Sequence, residues 1–123
     1  MDQKTTLQTL KDMVGLFCKE RDWDQFNNPK DLAIGITTEA GELLDIFRFK
    51  TQEQVIEMFG LPGKREKIED ELADVLFFTL RFAQMNEIDL SEILERKTEK
   101  NRQKYPVEIV RGRNLKYSEY EGD

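Results

Sequence analysis

Histidine is absent from this chain of 123 residues. Without an imidazole there is no Ser-His or Cys-His nucleophile, no ordinary catalytic zinc site and no Glu-x-x-His di-iron bundle. Cysteine occurs once, as Cys18, so no internal disulfide can form and a reducing cytoplasm is the expected compartment. No apolar run approaches the roughly 20 residues of a membrane span. The opening Met1-Asp2-Gln3-Lys4-Thr5-Thr6 lacks the basic-then-apolar build of a secretory signal. Glycine-rich phosphate cradles are missing as well: there is no G-x-x-x-x-G-K-[ST] and no G-x-G-x-x-G. Gly60, Gly63 and Glu66 sketch only the start of a Nudix signature, and no EF-hand loop is present. Basic charge is outnumbered, 19 Lys+Arg against 25 Asp+Glu for a net charge of −6. A pI near 4.8 then argues against a surface that tracks a nucleic-acid polymer.

What remains is a polar but foldable chain. At 123 residues one domain is expected, because two cores would each bury too little surface. Hydrophobic residues make up 38%, with a mean hydropathy of −0.67. That is too rich in Leu, Ile and Phe for disorder, yet thin enough that burial against a second copy would complete the core.

The apolar spacing is helical throughout. Leu7, Leu10, Val14 and Phe17 or Cys18 mark a first amphipathic helix from about Thr5 to Arg21. Asn27-Asn28-Pro29 signals a turn into a second, from about Lys30 to Phe49. Thr51 is placed to cap a short helix over 52–59, which Gly60-Leu61-Pro62-Gly63 ends. A long helix is expected over 64–86. Asp89 or Ser91 starts the last, which Tyr105-Pro106 breaks. The expectation is an all-α antiparallel bundle of four to five helices over residues 1–106, with 107–123 an extended arm or tail. Arg111, Arg113 and Lys116 give that arm a small basic cluster, more simply a solvated face than a phosphate contact.

The informative residues are polar ones where the pattern wants apolar ones. On the second helix Leu32, Ile36, Leu43, Ile46 and Phe47 form the stripe, and Glu39 falls inside it with Glu42 at its edge. On the long helix the stripe is Ile68, Leu72, Val75, Leu76, Thr79 and Ala83, flanked by Phe78 and Phe82. Glu71 projects between those two rings, and Asp74 lies just beyond Phe78. Two helices thus aim a carboxylate pair each, Glu39/Glu42 and Glu71/Asp74, at one interior. Four converging carboxylates need counter-charge, because unpaired burial is costly and like charges within about 4–6 Å raise each other's pKa values. One or two divalent cations would supply it, and oxygen-only ligands suit Mg²⁺, with Mn²⁺ as a substitute. Lysines or arginines from other helices would do so too, in a structural ion-pair network. A single Glu-x-x-Glu usually marks no more than a solvated face.

The last helix shows the complementary anomaly: Leu90, Ile93 and Leu94 lead into Lys97, Asn101 and Tyr105 at four-residue steps. A cation, an amide and a phenol on that side suit phosphate, sugar or base edges. The plainer alternative is that Lys97 snorkels and Asn101 approaches a fraying end. Trp23 and Phe49 sit at helix ends, where a ring can wall a pocket and stack on a base. Phe47 reads as core.

Ordered blocks of residues carry a resemblance. Glu20 to Phe26 (Glu-Arg-Asp-Trp-Asp-Gln-Phe) with Pro29, then Thr38-Glu39-Ala40-Gly41-Glu42-Leu43, followed by Glu71-x-x-Asp74, resemble the all-α MazG-like nucleoside triphosphate pyrophosphohydrolases, most of all their dCTP pyrophosphatase branch. Lys97 through Asn101-Arg102-Gln103-Lys104-Tyr105-Pro106 is similar to the family's K-x-x-x-N-R-x-K-Y-P segment. The similarity runs over about residues 5 to 113. It implies Mg²⁺ held by Glu39, Glu42, Glu71 and Asp74, hydrolysis of a (d)NTP to the monophosphate and pyrophosphate, and a nucleotide-pool role. It also implies a homodimer or a dimer of dimers with sites built between subunits. By the same match Trp23 walls the base and sugar. The branch commonly has Gln-Trp where this chain has Arg48-Phe49, Tyr where it has Phe78, and Gln-Phe-His where it has Gln25-Phe26-Asn27.

A mechanism follows from that inventory. Glu39 or Glu42 orients or deprotonates the water for in-line attack at the α-phosphorus, and Lys97, helped by Lys104, stabilises the leaving pyrophosphate. Asn101, Tyr105, Phe49 and Phe78 complete the expected substrate contacts. The rival expectation is a non-catalytic acidic helical module whose carboxylates meet a partner's basic surface.

Overall fold

Most of the helices begin where a side chain can cover a first-turn amide. In the computed structural model, which describes residues 1–119, α1 (Leu7–Glu20) is capped by Thr6, whose hydroxyl accepts from the Thr9 amide at 3.0 Å. Asn28 caps α2 (Pro29–Phe47), accepting from the Asp31 amide at 2.9 Å with Pro29 in the first turn. Thr51 and Gln54 close a reciprocal capping box on α3 (Gln52–Phe59), and Pro62 opens α4 (Pro62–Met85) two residues earlier than expected. Asp89, not Ser91, caps α5 (Leu90–Lys104), which stops at Tyr105 before Pro106. Two 3-10 segments, Asp24–Phe26 and Tyr117–Glu119, complete the described residues, which contain no strand.

The protein is all-α, as the spacing predicts. A short helix, α6 (Val107–Val110), lies in the segment expected to be an extended arm, and residues 120–123 of that segment lie outside the described residues. The chain divides into two compact units, Met1–Ile88 and Asp89 onward.

In the first unit α4 is the central rod, packed against α1, α2 and α3. Its core is small: Val14 and Cys18 from α1, Leu32 from α2, Met58 from α3, and Ile68, Leu80 and Ala83 from α4. Phe47 stacks on Phe59 at 6.4 Å, joining the end of α2 to α3. Lys11 lies on the buried side of α1 because its ammonium donates to the Ile88 carbonyl just beyond α4.

The stripe expected on α4 is corrected in one respect. Leu72 and Leu76 are 56% and 45% exposed in the single chain, while Arg81, which a helical pattern assigns to solvent, is buried. The reason is local: α1 and α2 cover the side of α4 that carries Leu80, Arg81 and Ala83, and Arg81 finds polar partners there.

In the second unit no residue of α5 or α6 is fully buried. Tyr105 and Tyr117 meet edge to face at 6.2 Å, bringing the Tyr117–Glu119 turn back to the end of α5.

One close approach sets the spacing of α2 and α4. A Cβ on Gly35 would stand 2.5 Å from the Phe78 ring, so the ring lies directly on the glycine backbone. Gly35→Ala should therefore destabilise by about 1–3 kcal/mol, despite alanine's better helix propensity. Gly41→Ala, whose methyl meets open space in the same helix, should be neutral or stabilising by up to about 1 kcal/mol. Urea midpoints test the pair, and an undiminished Gly35→Ala midpoint would mean that the Phe78 ring is free to retreat.

Candidate active site

The four acids predicted to converge stand on two packed helices, Glu39 and Glu42 in the middle of α2, Glu71 and Asp74 in the middle of α4. Three-residue spacing places each pair on neighbouring turns, and the side chains meet across the α2–α4 contact. One carboxylate oxygen from each of Glu39, Glu42 and Glu71 lies within 4.8 Å of the others. Asp74 is more exposed, and its charge acts on both Glu39 and Glu71.

The electrostatics are those of a site short of positive charge. Burial pushes the Glu39 carboxyl up from its ordinary 4.5 to about 7, helped by a hydrogen bond with Glu42 and by the charges of Glu42, Asp74 and Glu71. Glu71 is raised too, by burial first and then by Glu42 and Asp74. Glu39 Oε2 and Glu71 Oε2 are both buried without any hydrogen-bond partner. Among the described residues the ion pairs engage other acids, such as Glu69 with Arg65 and Asp24 with Arg81. A lysine or arginine network around the four acids, the structural alternative, is therefore not what these residues form. Two orphaned, buried carboxylate oxygens in one cluster of acids suit a hard divalent cation, whose oxygen ligands would be Glu39, Glu42, Glu71 and, from the rim, Asp74.

The aromatic candidates lie around this centre to different degrees. Phe78, one turn beyond Asp74, rests on Gly35 and meets Phe77 edge to face at 5.5 Å. Phe77 in turn meets Phe17 at 5.7 Å, and Phe17 meets Trp23 at 5.7 Å, so a chain of rings links Trp23 to α4. Trp23 is 42% exposed. Phe49 is 89% exposed beyond the end of α2, its backbone left-handed (φ 63°) and its ring under the Arg48 guanidinium at 4.7 Å. A bulky residue in that region is strained and is held outside the core.

Lys97, Asn101, Lys104 and Tyr105 belong to the second unit. Lys97 is exposed on α5, and Asn101 is half-buried, its carbonyl accepting from the Tyr105 amide at 2.8 Å. The Lys104 ammonium lies 4.7 Å from the Tyr117 ring and 5.7 Å from that of Tyr105.

Arg81 was not among the expected site residues. No local spacing marks it, because its partners Asp24 and Asn27 stand 57 and 54 positions earlier in the chain.

The chain is similar to known proteins in both sequence and fold. The MazG-like family model matches residues 34–119. The dCTP pyrophosphatase 1 proteins of mouse and human are 33% and 32% identical over 114 residues, which is 93% of this chain and 67% of each relative. The crystal structure of a pyrophosphatase from Archaeoglobus fulgidus superposes with a TM-score of 0.74 at 35% identity, covering 80% of this chain and 91% of that one.

The shift at Glu39 has a thermodynamic sign. Its pKa is higher folded than unfolded, so the penalty is absent below about pH 4.5, grows as pH rises through about 7, and is complete above. The metal-free protein should lose stability over that window, and Glu39→Gln should melt higher than the parent at pH 8 and depend less on pH. Thermal melts in a chelating buffer from pH 5 to 8 check this. A variant whose melting point follows pH as steeply as the parent's would remove Glu39 as the strained group.

Proposed function

The chain belongs to the MazG-like family, and from that membership we propose that it is a Mg²⁺-dependent nucleotide pyrophosphohydrolase that converts a (d)NTP and water to the (d)NMP and pyrophosphate. The single observation that carries this is the buried, partnerless oxygen on each of Glu39 and Glu71, two acids that cluster with Glu42 between α2 and α4. An enzyme that binds a triphosphate needs a place for divalent cations, and no glycine-rich loop of this chain offers another cradle.

Mg²⁺ bound there, or Mn²⁺ in its place, would neutralise the triphosphate and make a nearby water more acidic. Glu39, Glu42, Glu71 and Asp74 would hold it. Glu39 or Glu42 orients the attacking water and takes its proton as the oxygen adds to the α-phosphorus and the bond to the β-phosphate breaks. Trp23 walls the base, and Phe78 and Phe49 add apolar surface where the family pattern has hydrogen-bonding rings, so the base is gripped by stacking more than by its polar edge. Lys97, Asn101, Lys104 and Tyr105 are carried as contacts to the nucleotide on the strength of the K-x-x-x-N-R-x-K-Y-P match.

The working form is a homodimer or dimer of dimers, a reading that the exposed Leu44, Leu72 and Leu76 and the small single-chain core support. The catalytic domain is taken as residues 1–106 with 107–123 as its arm. A role in clearing surplus or non-standard nucleotides in the cytoplasm is in keeping with the single cysteine. No helix among the described residues is long and apolar enough to cross a membrane.

Incubation with a panel of NTPs and dNTPs should release pyrophosphate and the monophosphate, not inorganic phosphate, and a chelator should stop it. Glu42→Gln or Glu71→Gln should lower kcat at least about 100-fold with the helical circular dichroism retained. Absence of chelator-sensitive pyrophosphate from every triphosphate would sink the proposal in favour of a non-catalytic acidic module.

A further inference from the structure

Arg81 is the largest fully buried side chain among the described residues, 1% exposed, and the chemistry above makes no use of it. A guanidinium is costly to enclose unless its charge is balanced and its N–H groups are matched. Arg81 achieves both with three side chains. Its Nη2 pairs with Asp24 Oδ1, its Nε donates to Asn27 Oδ1 at 2.8 Å, and its Nη1 donates to Gln84 Oε1 on its own helix.

Two of those partners share a place in the fold. Asp24 and Asn27 bracket the 3-10 turn between α1 and α2, and the residue that leads into that turn is Trp23. The same stretch contains Asp22 in the left-handed region at φ 55°, its amide donating to the Lys19 carbonyl at 3.1 Å, so α1 closes in a tight turn that hands the chain on to Trp23. The Trp23 amide donates to the Cys18 carbonyl at 2.9 Å, and its ring meets Phe17. On the other side Arg81 holds the turn to α4. Asp74 precedes Arg81 by seven residues, about two turns or roughly 10 Å along one face of that rod. One helix therefore carries both the acids and the anchor of the tryptophan loop.

We infer that Arg81, acting through Asp24 and Asn27, is a positioning residue that fixes the Trp23 indole at a set distance from the acidic cluster, so that it governs nucleotide affinity without touching the nucleotide. The inference rests on the proposed function in taking Trp23 as the base wall. It also accounts for Asn27, where the family pattern has histidine. An amide oxygen gives the buried guanidinium an acceptor, whereas a protonated imidazole would set a second cation beside it.

Trp23 is the chain's one tryptophan, which gives the test a direct readout. Asp24→Asn and Asn27→Ala each loosen the loop side and leave the guanidinium its other partners, so neither removes the whole network. With Mg²⁺ and the best triphosphate of the panel, KM should rise about tenfold while kcat changes less than about threefold. Without nucleotide, Trp23 emission should shift to the red and its anisotropy decay faster. Asn27→Asp, which keeps an oxygen in place, should recover both signals.

An unmoved indole emission would overturn the inference, as would a moved emission with KM unchanged, or a loss confined to kcat. A parent enzyme inactive on every triphosphate would instead overturn the proposed function. The emission and anisotropy would then still decide whether Arg81 holds the loop.

Discussion

Carboxylates crowded between two helices set the terms for the rest of this molecule. Each of Glu39 and Glu71 has an oxygen sealed from water with nothing to donate to it, and the neighbouring acids raise the cost of ionising either one. Helices do not ordinarily pack on such a seam. That α2 and α4 do so reflects the apolar contacts on either side of it: Leu32 with Ile68 and Leu80 in the core, Phe47 on Phe59, and Phe78 on Gly35. Apolar burial thus holds like charges together, and the resulting deficit of positive charge is what a bound cation would relieve.

Much of this was legible in the residue pattern, for identifiable reasons. Glu39 and Glu71 stood out because a period of 3.6 residues assigns each position a direction, and both fell where Leu or Ile was expected. The caps at Thr51 and Asp89 and the break at Pro106 were readable because their effect is local, a side chain reaching an amide two or three residues away. What escaped depends on distance along the chain. The burial of Lys11 is set by a carbonyl 77 residues away, and that of Arg81 by Asp24 and Asn27, 57 and 54 residues away. No window of neighbouring residues contains such pairs. Leu72 and Leu76 illustrate the reverse error: their pattern is that of a buried face, but the single chain has nothing to lay over it.

α4 combines roles that are often split among several elements. It supplies half of the acids, the ring that lies on Gly35, and the buried cation that holds the α1–α2 connection. A rod of 24 residues is stiff enough for displacements at one end to be felt at the other. The spacing among these groups is accordingly a property of helix geometry, which varies little with temperature or solvent.

The bare backbone at Gly35 bears on how such an enzyme can change over generations. With the phenyl ring of residue 78 resting on it, a side chain at position 35 is costly until residue 78 has become smaller. The opposite order passes through a misfit protein. Substitution at this contact is therefore gentlest when a void is opened at residue 78 first and filled from position 35 afterwards.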